Sequence, residues 1–169
     1  MQDDPLAVPF VVAVDSREQH PYEFRGLRGR ANQGHRPLLV TVERCCLATG
    51  DYSIRGFESQ VAVERKSLAD LYATLGQHRR RFEAEHQRMA RMERARVVIE
   101  AEWSEILGCP PPGSGLAPKS VIATARSWEI AYGVPWIAVP GRRFAELETF
   151  RFLEEFWRQK AGRRGKRAY

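Results

Sequence analysis

Thr49-Gly50-Asp51-Tyr52 and then Val63-Glu64-Arg65-Lys66-Ser67 are the two stretches around which the rest of this chain falls into order. Side chains alternate along a strand, so Glu64 and Lys66 share one face, with Ala62. Arg65 shares the other with Val61 and Val63. If Gly50-Asp51 opens the partner strand of a hairpin, Asp51 reaches the Glu64 side. An Asp and a Glu together offer hard oxygen ligands for Mg²⁺. A lysine beside them can orient or activate water and neutralise phosphate charge. Alone, Glu-x-Lys is more often an ordinary ion pair at an exposed strand end. The neighbouring sequence shifts that balance. Phe10-Val11-Val12-Ala13-Val14 is a buried-strand run ending in Asp15-Ser16-Arg17-Glu18, which puts two further acids at a strand end, where α/β proteins build their sites.

Working outward, Phe10–Asp15 reads as a first central strand. Residues 19–36 carry Pro21, Gly26, Gly29 and Gly34 with Arg25, Arg28, Arg30 and Arg36, and read as a mobile cationic loop. Leu38–Leu47 is a strand with alternating character, and Tyr52–Arg55 with Gln60–Arg65 forms a hairpin around Gly56-Phe57-Glu58-Ser59. Ser67 is an N-cap for a helix carrying Leu68, Leu71, Tyr72 and Leu75, and Asp70 sits at its third position as in a capping box. Gly76 interrupts that helix. A basic helix over His78–Arg94 holds Arg79, Arg80, Arg81, Arg88 and Arg91, partly balanced by Glu83, Glu85 and Glu93. Arg96–Ala101 is a strand, 109–115 a Pro/Gly loop, Lys119–Tyr132 a helix, Pro135–Val139 a strand and Arg143–Trp157 a final amphipathic helix. Lys160–Tyr169 is expected to be a frayed basic tail, so residues 1–159 form one domain and 160–169 a flexible extension. Strands alternate with helices, which makes the fold α/β.

Composition agrees with a globular polyanion binder. The chain has 169 residues, 43% of them hydrophobic, a net charge of +6 and a pI near 9.6. No segment is apolar enough to span a membrane, and Met1-Gln2-Asp3-Asp4 lacks a signal-peptide pattern. Cys45, Cys46 and Cys109 form no metal-ligand spacing and read as reduced and packed, in keeping with an intracellular, cytoplasmic or nucleoid setting.

Val14-Asp15-Ser16-Arg17-Glu18, Gly50-Asp51-Tyr52 and Val63-Glu64-Arg65-Lys66-Ser67-Leu68-Ala69-Asp70 together resemble the nuclease domain of the xeroderma pigmentosum group F (XPF) structure-specific endonucleases. The ordered pattern is D-x-R-E, G-D and E-R-K-x-x-x-D. The resemblance extends over residues 10–157, through Arg79-Arg80-Arg81-Phe82 and Val97-Val98-Ile99-Glu100, and weakens after Trp103. It implies a restriction-endonuclease-like fold of the PD-(D/E)xK superfamily, a mixed central sheet flanked by helices. It also implies Mg²⁺-dependent cleavage of DNA, with Mn²⁺ as substitute, on flaps, forks or other branches in repair, recombination or phage DNA processing.

Carried over residue by residue, the resemblance makes Asp51 and Glu64 metal ligands, with the Arg65 carbonyl available to complete the shell, and Lys66 the catalytic lysine. Asp15 and Glu18 are further acids of the same cluster, either a candidate third ligand. Arg17 holds carboxylates or a phosphate, and Asp70 lies behind the metal. DNA contacts are expected from Arg25, Arg28, Arg30, Arg79, Arg80, Arg81 and the tail residues Lys160, Arg163, Arg164, Lys166 and Arg167. Family members often have a Gly-Arg pair where this chain has Gln77-His78-Arg79-Arg80-Arg81, which leaves Arg79 and Arg81 as alternatives for that place. The chain carries neither the helix-hairpin-helix modules nor the helicase of larger relatives, so it is expected to be a compact solo member like those of bacteria and phages. Trp128, Tyr132, Trp136, Phe152, Phe156 and Trp157 suit either core or a homodimer face, and the resemblance favours the dimer. Two other readings stay open: a catalytically silent DNA-binding partner subunit, and a basic nucleic-acid-binding module with a structural acidic cluster.

Overall fold

The computed structural model describes residues 4–166, with side chains through Ala161. Six strands form one sheet in the order β2-β1-β3-β4-β5-β6, where β1 is Leu6–Asp15, β2 Leu38–Cys45, β3 Tyr52–Ile54, β4 Val61–Lys66, β5 Arg94–Ile99 and β6 Trp136–Ala138. β1 pairs parallel with β2, and β4, β5 and β6 are mutually parallel. β3 runs antiparallel to both β1 and β4. The mixed α/β sheet expected from the sequence is therefore present.

Helices cover the two faces. On one lie α1 (Leu68–Gln77), α2 (Arg79–Met89), α3 (Trp103–Gly108) and α4 (Pro118–Tyr132). They bury Leu71, Phe82, Met89, Ile106, Val121 and Trp128 against Val97, Ile99 and Trp136 of the sheet. On the other lies α5 (Gly141–Lys166), whose Phe150, Leu153 and Phe156 pack on Phe10, Val12, Ile54, Val63 and Val98. Alternation within each strand feeds both cores, so the β-branched runs of β1, β4 and β5 are buried on two sides.

Several expectations are corrected. The 19–36 segment is no free loop: Tyr22, Phe24 and Leu27 are nearly fully buried beside α5, and Arg28 bridges to Pro37. Arg30 pairs with Glu154 at 2.9 Å and Glu155 at 3.1 Å. Apolar anchors every few residues fix a stretch that its glycines and arginines made look mobile. Gly76 lies inside α1, and the chain breaks instead at His78. α2 stops at Met89 because Arg94 already pairs with Gln60 to begin β5. Trp128, Trp136 and Phe156 are core, and Tyr132, Phe152 and Trp157 are partly buried against it. Cys46 and Cys109 are exposed rather than packed, and all three cysteines are free. α5 continues helical to Lys166, past the expected end at Trp157, supported by Arg151–Glu154 and Arg158–Glu155 pairs one turn apart. Lys160 pairs with Glu93 and sits 5.3 Å from the Phe156 ring centre. The side chains of Arg163, Arg164 and Lys166, and all of Arg167, lie outside the described residues.

Candidate active site

The sheet's register assembles the motif residues. Val14 pairs with Tyr52 and Tyr52 with Val63, so the next residues along put Asp15, Asp51 and Glu64 side by side across β1, β3 and β4. Backbone bonds continue the row: the Asp15 amide donates to the Asp51 carbonyl at 2.8 Å, and the Asp51 amide to the Val63 carbonyl at 2.8 Å. Asp15 and Glu64 lie toward the C-terminal ends of β1 and β4, and Asp51 just before the N-terminus of antiparallel β3, all at the edge where α/β sheets hold ligands. They face a cavity of about 410 Å³ that is also lined by Arg17, Glu18, His20, Lys66, Asp70, His78, Arg81, Glu85 and Arg88.

Asp51 and Glu64, neighbours where β3 starts beside β4, each engage only one carboxylate oxygen. Asp51 Oδ2 accepts the Arg65 amide at 2.7 Å, and Glu64 Oε1 accepts Lys66 Nζ at 2.6 Å. The second oxygen of each has no protein partner among the described residues. Burial pushes the Asp51 carboxyl up to about 7, and Glu18 and Glu85 add to the rise against the pull of the Arg65 amide and Lys66. Burial and then the Asp51 carboxylate push Glu64 well above its ordinary value, with Lys66 opposing. Burial disfavours the Lys66 charge, but Glu64 and Asp51 outweigh it and raise the lysine's pKa, so Lys66 stays cationic. Its ammonium also lies 4.6 Å from the Phe82 ring centre.

Two crowded, underused carboxylates fit a hard divalent cation. Among the described residues, no three His, Cys, Asp or Glu side chains are grouped closely enough to hold a metal by themselves. Asp51 and Glu64 could therefore supply two carboxylate ligands to a cation that keeps much of its hydration.

Asp15 has a different place. Its Oδ1 accepts the Arg17 amide at 2.7 Å and Arg17 Nε at 2.9 Å, while Oδ2 accepts Arg17 Nη2 at 2.7 Å and the Leu47 amide at 3.0 Å. Burial works against its charge, yet these donors outweigh burial and hold the carboxyl below the usual range. With its oxygens engaged, Asp15 fixes Arg17 at the cavity rim. Glu18 turns toward the face of Arg65, 3.6 Å from Nη1, and its Oε1 accepts the His20 amide at 2.6 Å. Asp70 closes the Ser67 cap: its amide donates to Ser67 Oγ at 3.1 Å, and its carboxylate accepts that hydroxyl at 2.6 Å.

The arginines divide. Arg81 lines the cavity, but Arg79 turns away, donating to Thr124 Oγ1 at 2.8 Å and stacking on Trp128, and Arg80 is not among the lining residues. Arg25 pairs with exposed Glu23, Arg28 donates to the His35 carbonyl, and Arg30 is held by α5, so none of the three lines the cavity.

Three residues escaped the sequence reading. Arg88 and Glu85 share the cavity-facing side of α2 with His78 and Arg81, a helical stripe that the spacing 78, 81, 85, 88 carries. Glu85 Oε1 accepts the Gly50 amide at 3.2 Å and the Thr49 hydroxyl at 3.4 Å. Glu100 grips Arg65 through two bonds of 2.7 and 2.8 Å and also accepts Tyr22 Oη at 3.0 Å and Arg142 Nη1 at 3.2 Å. Nothing local in the sequence links Glu100 to residues 22 and 142.

Comparison with known proteins agrees with this geometry. The ERCC4 domain matches residues 14–147. XPF from Aeropyrum pernix superposes with a TM-score of 0.63 at 20% identity, covering 91% of this chain and 68% of that one. XPF from Aeropyrum pernix in complex with DNA gives 0.61 at 20% identity, covering 89% of this chain and 66% of the other. The chain thus spans about two thirds of the length of these solved proteins. No curated protein sequence matches it significantly.

Proposed function

The chain belongs to the ERCC4 domain family of XPF-type nucleases, with a restriction-endonuclease-like sheet, and from that premise we propose that it is a metal-dependent endodeoxyribonuclease acting on branched DNA. The observation that carries this reading is the pairing of Asp51 and Glu64, each with an unpartnered oxygen, beside a cationic Lys66 in a cavity rimmed by arginines.

Asp51 and Glu64 would hold Mg²⁺ or Mn²⁺, and the bound ion would supply Lewis acidity that activates water and screens the phosphate. Arg17, kept at the rim by Asp15, and Arg81 and Arg88 from α2 would engage phosphates on either side of the scissile bond. Lys66, fixed by Glu64 and packed on Phe82, orients the attacking water and stabilises charge on the phosphate oxygens. Water adds to phosphorus, the bond to the leaving sugar oxygen breaks, and the products are a phosphate monoester and a free hydroxyl.

The preference for branched DNA and the homodimer come from the family resemblance. Intact acids and lysine favour this reading over a silent partner subunit. Labelled flap, fork, nicked, duplex and single-stranded DNAs incubated with Mg²⁺, Mn²⁺ or EDTA test it. Metal-dependent cuts near the junctions are expected, and DNA binding without cleavage under all three conditions refutes it. Sedimentation velocity, with and without flap DNA, measures the dimer.

A further inference from the structure

We propose that Glu85 is a positioning residue of the cation site, holding the Gly50 turn that aims Asp51 rather than touching cation or substrate itself. The functional consequence rests on the nuclease reading above; the structural one does not.

Gly50 is buried, with φ at +74°. A Cβ there would meet Ala62 Cβ at 3.0 Å and the Val63 carbonyl oxygen at 3.1 Å, so the turn is pressed against β4. On its other side stands α2. Glu85 Oε1 takes both the Gly50 amide and the Thr49 hydroxyl, and its other oxygen has no protein partner among the described residues. Asp51 follows at once, with its amide bonded to the Val63 carbonyl and its Oδ2 to the Arg65 amide. The orientation of Asp51 is thereby set from two directions, by β4 below and by Glu85 above.

A buried amide left without an acceptor is costly, and a carboxylate is a stronger acceptor than a neutral group. That accounts for a glutamate in a cavity that already holds Asp51 and Glu64, where a further negative charge is unfavourable. The same helix carries Arg81 and Arg88 into the cavity.

The test uses the full chain with Glu85→Ala, Glu85→Gln and Glu85→Asp. Gln keeps an acceptor oxygen without the charge; Asp keeps the charge but falls one methylene short, and serves if Ala does not fold. Three quantities are measured: exchange of the Gly50 amide by NMR, Mn²⁺ affinity by calorimetry, and kcat against KM on flap DNA. In Glu85→Ala and Glu85→Asp, Gly50 should exchange faster, Mn²⁺ binding should weaken roughly 10–100-fold, and kcat should fall more than KM rises. Glu85→Gln, which keeps a weaker acceptor, should fall between the parent and Glu85→Ala on all three counts. Unchanged Gly50 exchange and Mn²⁺ affinity in Glu85→Ala overturn the proposal. Equal damage in Glu85→Gln and Glu85→Ala also overturns it, because the charge would then act directly. If the parent protein neither binds Mn²⁺ nor cuts DNA, the nuclease reading fails, while Gly50 exchange still decides whether Glu85 holds the turn.

Discussion

Replacing Gly50 with alanine should damage both the fold and the site, for separable reasons. The residue sits at φ +74°, where an L side chain costs about 1–2 kcal/mol. Its new methyl would lie 3.0 Å from Ala62 Cβ and 3.1 Å from the Val63 oxygen. Both belong to β4, a central strand that parallel β5 also grips, so neither can swing aside as a flexible side chain could. Overpacking of that kind costs about 1–3 kcal/mol. Together the two effects amount to roughly 2–5 kcal/mol, a third or so of the stability of an ordinary domain. For a chain of this length the midpoint of thermal unfolding should fall by about 5–15 °C. Relief would come by lifting the turn off β4, which carries Asp51 away from Glu64. Misplacing a catalytic group by about 1 Å costs on the order of 100-fold in rate. Calorimetric melting in EDTA reads the first effect, and Mn²⁺ titration with flap cleavage at a temperature where the variant is folded reads the second. A Gly50→Ala protein that melts within 2 °C of the parent (under about 1 kcal/mol) and cuts at the parent rate would refute the strain and the role of the turn together.

Three other outcomes are expected. Asp51→Asn and Glu64→Gln should each abolish detectable cleavage and weaken Mn²⁺ binding in calorimetry, while flap DNA binding in a gel-shift assay persists or tightens as negative charge leaves the cavity. Lys66→Ala should retain Mn²⁺ affinity but lose turnover; a variant that does not fold would mark Lys66 as a structural partner of Glu64. His86 supplies a pH dependence. Its Nε2 accepts Trp136 Nε1–H at 2.9 Å, so that nitrogen is bare and Nδ1 donates to the Phe82 carbonyl at 3.0 Å. Burial holds its pKa below the ordinary 6.5. The unfolded chain takes up a proton as pH falls below about 6.5 and the folded one does not, so this contribution to stability is full above that pH and declines by up to about 1.4 kcal/mol per pH unit below it. Urea unfolding of the parent and of His86→Gln should diverge in slope between pH 7 and 5.5 (a window set by the ordinary histidine pKa of about 6.5); parallel profiles would show that His86 does not titrate on unfolding.

The order of the strands, the helices α1, α2, α4 and α5, the capped start of α1 and the convergence of Asp51, Glu64 and Lys66 were legible in the sequence, because each rests on local chemistry; the six-residue α3 was not, because it is too short to show a helical period. Period-two alternation places Glu64 and Lys66 on one face, β-branched runs mark buried strands, and Ser67-x-x-Asp70 marks a helix start. What local chemistry does not carry is the partner of a long charged side chain. Asp15 and Glu18 were alternatives for a further ligand in the sequence, and only the fold shows that Arg17 and the Leu47 amide engage both Asp15 oxygens. Arg79 and Arg81 were equivalent candidates until helical phase sent one onto Trp128 and the other into the cavity. The arginines of residues 25–30 looked free until Tyr22, Phe24 and Leu27 pinned that segment beside α5.

The sequence alone determined the α/β architecture and the acids and lysine of the site, since periodicity and motif order survive any detail of packing. Only the tertiary structure decided which charges remain available for chemistry. Glu85 meets Gly50 across 35 residues, Glu100 meets Arg65 across 35 and Arg142 across 42, and Arg30 meets Glu154 across 124. Such pairings exist because the sheet brings strand ends and α5 together, and a charge buried there must find a partner among whatever the fold has placed within reach.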